Sequence, residues 1–170
     1  MKRLFPVALA MAIASAGCGS QTTGPTAPVT LAPPTVTETF TGTLIALGNN
    51  LHTFAVGQLG EVDITLQATT LQSTIDPTTG EEIPPEDPKA VPKLTLAVGT
   101  PTTTLFGLQC VTAVFGTTPM LVSTVAGAAA QLKGSALPGN FCVSLSDTAG
   151  DNNASLLPAS VDYTITVAHP

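Results

Sequence analysis

Tryptophan is absent from the 170-residue chain, tyrosine occurs once, and charged residues make up only 9%. Each shortage excludes something. β-Sheet domains that hold sugars by stacking need exposed aromatic faces, and with no Trp and with Tyr163 expected to point inward such binding is not expected. Recognition by the hydrogen-bonding groups of Thr, Asn and Asp stays open. Positive charge is scarcer still: Lys and Arg total 5 against 11 Asp and Glu. Beyond residue 17 only Lys89, Lys93 and Lys133 remain, with no arginine. Displacing phosphate counterions takes clustered cationic groups, so nucleic acid is not an expected partner. A basic patch for anionic lipid head groups is excluded on the same ground. Histidine is limited to His52 and His169, and no G-x-S-x-G turn occurs. A nucleophile, base and acid therefore cannot be assembled from the sequence, and the chain is expected to be non-catalytic. His52, within a strand, and His169, beside Pro170, each read as an edge or surface residue.

Long apolar runs are also missing, apart from one at the start. Met1-Lys2-Arg3 is followed by the apolar stretch Leu4 to Ala14 and then by the small residues Ser15-Ala16-Gly17. That order is a secretory signal. A spanning helix would need about 20 apolar residues, and Gly19-Ser20-Gln21 interrupts this run first. Ser15-Ala16-Gly17-Cys18 resembles the bacterial lipobox, departing from it at Ser15, where the family has an aliphatic residue. The resemblance implies cleavage before Cys18 and lipid on its thiol. Residues 1–17 would then be the signal peptide and Cys18 the membrane anchor. Gly19 in the next position implies, by resemblance to Gram-negative sorting rules, an outer-membrane destination in the cell envelope.

With Cys18 acylated, Cys110 and Cys142 are left as a pair. In an oxidising compartment a disulfide is the default, with two separate buried thiols as the alternative. Two cysteines without neighbouring histidines do not fill a zinc shell. No metal or other cofactor is expected.

Residues 18–35 are rich in Pro and Thr and carry no charge, which reads as an extended tether. From Val36 onward short runs of Thr, Val, Leu and Ile alternate with Gly, Asn and Pro clusters. Val36, Phe40, Leu44 and Ala46 share one parity. Gly48-Asn49-Asn50 would turn the chain. Strands are then expected over Leu51 to Val56, Glu61 to Ala68, Lys93 to Thr100, Asn140 to Ser146 and Asp162 to Val167. In these, Val62, Ile64 and Leu66, then Leu94, Leu96 and Val98, then Phe141, Val143 and Leu145, and finally Tyr163, Ile165 and Val167 face inward. Leu105 to Phe115 and Met120 to Leu137 add strands, although Ala126 to Leu132 could form a helical turn or two. Residues 72–92 hold five prolines and five carboxylates and are expected to form a long solvated loop. About eight strands over residues 36–170 indicate a single antiparallel β-sandwich, all-β and jelly-roll-like.

The order Phe40-Thr-Gly-Thr-Leu44, His52-Thr-Phe-Ala-Val56, Gly60-Glu-Val-Asp-Ile-Thr-Leu66, Gly139-Asn-Phe-Cys-Val143 and Tyr163-Thr-Ile-Thr-Val167 resembles the bacterial pre-peptidase C-terminal domain. That family is a β-sandwich often appended to secreted proteases. The resemblance implies a non-catalytic module for a protein or polymer ligand. Some related domains are stabilised by calcium. The chain differs in lacking an attached enzyme and in its acidic insertion. An accessory subunit of a separately encoded hydrolase, or an enzyme of unknown class, is the alternative.

Asp147 and Asp151-Asn152-Asn153 offer calcium-type oxygens in one loop, but the spacing is not that of an EF-hand. Asp, Asn and Gly are also ordinary turn residues, and the turn reading is preferred. For Cys142, the inward parity of its neighbours predicts a position on the outside of a sheet or beneath a covering loop. The strand bearing Cys110 is expected to lie next to the strand bearing Cys142.

Overall fold

A computed structural model describes residues 34–86, 91–112, 114–115, 118–147, 157 and 160–170. Cys18, the signal peptide, most of the tether and Asp151 to Asn153 lie outside the described residues. The strands in chain order are β1 (Val36–Leu44), β2 (Asn49–Val56), β3 (Gly60–Leu71), β4 (Thr74–Ile75), β5 (Glu82–Ile83), β6 (Leu94–Thr104) and β7 (Gly107–Thr112). They are followed by β8 (Val114–Phe115), β9 (Thr118–Pro119), β10 (Leu121–Thr124), β11 (Leu132–Ala136), β12 (Gly139–Ser146) and β13 (Val161–His169). All pairings are antiparallel.

Two sheets make the sandwich. One has the order β1-β13-β3-β11; the other has β10-β6-β12-β2, with β7 also paired to β6. The alternation read from the sequence has a direct physical outcome here. Ile64 and Leu66 on β3, Leu96 and Val98 on β6, Val143 and Leu145 on β12, and Ile165 and Val167 on β13 are all buried in one core. Thr37, Thr39, Thr41 and Thr43 of β1 and Asp162, Thr164 and Thr166 of β13 take the outer positions, as period-2 geometry requires. Tyr163 is buried, as expected.

Four local expectations are corrected. The turn after β1 is Ile45 to Gly48, closed by the Gly48 N–H donating to the Ile45 carbonyl at 2.9 Å, and Asn49 and Asn50 already belong to β2. Leu47 takes the left-handed position with φ 56°, where glycine is the usual occupant, so the residue types misplaced the turn. Residues 125–131 form neither helix nor strand, and β11 begins only at Leu132. Gln131 explains part of this, because its side-chain carbonyl accepts from Leu66 N–H at 2.7 Å and so binds the segment to β3 without a ladder. In the expected long loop at 72–92, the described residues are largely exposed and include the short β4–β5 hairpin. His169, expected at an edge or the surface, is 3% exposed because β13 is an inner strand, flanked by β1 and β3. His52 does lie on an edge strand, β2.

A further correction concerns the cysteines. Their sulfurs stand at disulfide-bonding distance, 2.03 Å, with Cα atoms 5.8 Å apart. Yet β7 and β12 are not adjacent: both pair with β6, and Gly99 is the shared partner of Thr112 and Cys142. The close approach depends on Gly99. A Cβ there would lie 2.0 Å from the Val111 carbonyl oxygen, so the β7 backbone passes over a residue that has no side chain. Cys142 is thereby fully buried without joining the hydrophobic core, and β7 is its cover.

Candidate functional site

β6 stops pairing with β12 at Gly99, while its pairing with β7 continues to Thr104. Beyond that point β6 and β7 form a two-stranded ribbon that leaves the sheet. β12 continues to pair with β2, through Asn140 opposite Ala55 and Gly139 opposite Val56. The divergence opens a groove of about 460 Å³ lined by Glu38, Thr53, Phe54, Ala55, Pro101 and Asn140. Its floor is the outer part of β2 and β12, and Pro101 on the ribbon is one wall. Pro101 is the register partner of Cys110, so the Cys110–Cys142 link holds that wall against β12.

Glu38 brings the groove its charge. It sits on the inward parity of β1, and its carboxylate lies 3.0 Å from His169 Nε2. The other ring nitrogen, Nδ1, is 3.3 Å from the Pro170 carbonyl, and the ring packs against Phe54 at 5.6 Å. With both nitrogens engaged, His169 acts as a fixed post for Glu38. Such a pair can orient a carboxylate toward a bound hydrogen-bond donor; activating a nucleophile would require a hydroxyl or thiol at the ring.

A second polar cluster lies on the same flank, where the edge strands β1 and β2 face one another. Phe40 stacks on His52 at 4.8 Å, and His52 Nε2 is 2.8 Å from the Tyr163 hydroxyl. Burial lowers the His52 pKa and raises that of Tyr163, the latter opposed by a hydrogen bond from Asn50. Both rings are therefore neutral near pH 7, and the hydrogen bond is one between uncharged groups. Gly42, the register partner of Tyr163, makes room for it, since a Cβ there would lie 2.6 Å from the hydroxyl oxygen. The cluster fastens the two edges rather than offering a reactive group.

Asp147 has a structural position. Its carboxylate accepts from Leu47 N–H at 3.0 Å, and its own N–H donates to the Gly48 carbonyl at 3.1 Å. It thus braces the strained turn between β1 and β2. Among the described residues no three His, Cys, Asp or Glu side chains gather in a way that could hold a metal ion. On the outer face of the first sheet, Asp162 accepts from Thr43 Oγ1 at 2.5 Å and from Gln72 Nε2. Lys133 bonds Asp63 at 2.9 Å, which raises the lysine pKa, and lies 3.8 Å from Glu61.

The sequence pointed to Cys110 and Cys142, which the fold brings together. It did not point to Glu38, whose inward parity among Thr residues was the available signal, nor to Pro101 and Asn140, which meet only because β6 leaves the sheet.

No family model and no curated protein is similar enough to the chain to count as a match. Among solved structures, the chain is similar to a protein of Sulfurospirillum deleyianum known from a crystal structure, at 12% identity and a TM-score of 0.34. That similarity covers 79% of this chain and 97% of the other.

Proposed function

We propose that the protein is a non-catalytic, lipid-anchored component of the bacterial cell envelope, exported and held through Cys18, whose sandwich receives a segment of a protein or polymer. The observation that supports a binding role is the groove beside β2. It is lined by Ala55 and by part of the core residue Phe54, with hydrogen-bonding groups at Thr53 and Asn140 and one oriented carboxylate at Glu38. A few placed polar groups over an apolar base is the usual composition of a recognition site. β2 is also an edge strand, the kind of element to which an extended segment can add. The resemblance to pre-peptidase C-terminal domains favours the same accessory role.

The anchor is tested by metabolic labelling with palmitate in cells expressing the wild type and Cys18→Ser. Label is expected in the wild type alone; equal label in both would refute the lipid assignment. For the groove, a photo-cross-linking residue placed at Thr53 should give a discrete adduct with an envelope component that Ala55→Arg removes. An adduct pattern indifferent to Ala55→Arg would place binding elsewhere.

A further inference from the structure

The two ends of the sandwich differ in chemistry. At one end lie the start of β1 at Val36, the end of β13, the β2–β3 and β11–β12 connections, and the tip of the β6–β7 ribbon. Apolar side chains are exposed at both ends, Val36, Leu59, Leu105, Phe106 and Leu137 here and Ile45, Leu47 and Ile75 at the other, and the difference between the ends is one of charge. Those three connections, residues 57–59, 105–106 and 137–138, contain no charged side chain. From the opposite end leave the β3–β6 and β12–β13 connections, which carry seven of the eleven carboxylates: Asp76, Glu81, Glu82, Glu86, Asp87, Asp147 and Asp151.

The ribbon tip is the sharpest feature of the uncharged end. Leu105 and Phe106 form its two-residue loop and are 101% and 91% exposed. No burial within the fold accounts for them. Gly107, at φ 102°, takes the left-handed conformation that closes the loop, and Thr104 Oγ1 accepts from Phe106 N–H at 3.2 Å while donating to the Gly107 carbonyl at 3.0 Å. The tip's backbone is thus partly satisfied internally, which a segment entering an apolar medium needs. No charged or histidine residue occurs from Leu94 to Leu132, so the whole ribbon is neutral. The carboxylates nearest this end are engaged, Glu38 with His169 and Glu61 near Lys133.

We propose that this end is a bilayer-contacting surface, with Leu105 and Phe106 inserting into the interfacial region of the membrane that carries the lipid anchor. The inference rests on the anchor reading for its choice of membrane over another apolar partner. The chain following Cys18 joins the domain at Val36, on the same end as the tip. Residues 18–35 can span at most about 60 Å when extended, so the tether brings the domain near the bilayer without fixing its orientation. The apolar tip fixes it. Interfacial elements reach about 5–10 Å into the head-group boundary, a depth that a two-residue tip flanked by Thr can match. The acidic connections then leave the domain on the side away from the negative membrane surface, which repels them.

The absence of tryptophan gives a clean test. The full chain carrying Phe106→Trp, produced in a host that processes lipoproteins, is reconstituted into phosphatidylethanolamine and phosphatidylglycerol vesicles containing lipids brominated near the head group. Ile75→Trp, on the opposite connection, is the control. Emission from position 106 should shift to the blue and be largely quenched, while emission from position 75 stays unshifted. Equal quenching at both positions, or none at position 106, overturns the proposal, and quenching relieved by a co-purifying protein rather than by lipid does so too. Palmitate label is read on the same preparation. Labelled chain without quenching at 106 defeats this inference alone; unlabelled chain with quenching at 106 defeats the anchor and leaves the tip's insertion standing.

Discussion

His52 is neutral in the fold because of where Phe40 and Tyr163 place it. Burial lowers its pKa below the usual 6.5, so the unfolded chain takes up the proton more readily than the folded one. Stability is therefore full above about pH 6.5, falls as pH drops toward the lowered folded value, and levels off below it. His52→Gln should flatten the stability curve in that window, read as urea midpoints between about pH 8 and about pH 5. His169 is present in both proteins, so the difference between the two curves isolates His52. Parallel curves would show that the His52–Tyr163 contact does not distinguish the protonation states. Asp76, whose pKa is lowered by the N–H groups of Thr78 and Thr79, acts in a separate window, below its ordinary 3.8.

At the scale of elements, the link between β7 and β12 depends on one missing side chain. Gly99→Ala would put a methyl group on the Val111 carbonyl, and neither backbone can yield without separating β7 from β6. Cys110 should then fall out of reach of Cys142. Alkylation without reduction, followed by mass spectrometry, is expected to label neither thiol in the wild type and both in Gly99→Ala. Label on both thiols in the wild type would show that no disulfide forms. Replacing both cysteines by serine gives the energetic side: closing this loop corresponds to roughly 3.7 kcal/mol in the chain-entropy model, an upper figure for the loss.

The same pair of strands shows what could be read in advance. Val62, Ile64 and Leu66, or Tyr163, Ile165 and Val167, declare their face by alternation alone, because period 2 is a property of one strand. The covering of Cys142 is not, since it needs β6 to leave β12 at Gly99 and β7 to fold across it. Leu47 in a left-handed turn and His169 inside the sandwich were hidden for the same reason. Asp147 and Glu38, distant in sequence, supply the contacts that hold them. The groove was illegible because every wall comes from a different strand.

For the whole molecule, the decisive fact is that the first and last strands of the domain pair along their full length, Val36 opposite His169 through Leu44 opposite Val161. β13 also pairs with β3, so the last strand to be synthesised is an inner one of its sheet. The sandwich cannot close until β13 has been made, and such non-local antiparallel pairing makes for slow folding. Val161, Tyr163, Ile165 and Val167 are each at most 3% exposed. At about 1.5–3 kcal/mol for each buried side chain, the four contribute on the order of 6–12 kcal/mol. Domains of this kind have about 5–15 kcal/mol in total. Ending the chain after Ser160 should therefore abolish the fold outright rather than weaken it. The truncated protein is expected to lose its β-sheet circular dichroism and cooperative melting, and to be digested by protease at the rate of an unfolded chain. A truncated chain that still melted cooperatively would show that β1, β3 and β11 can form a sheet without the strand between β1 and β3.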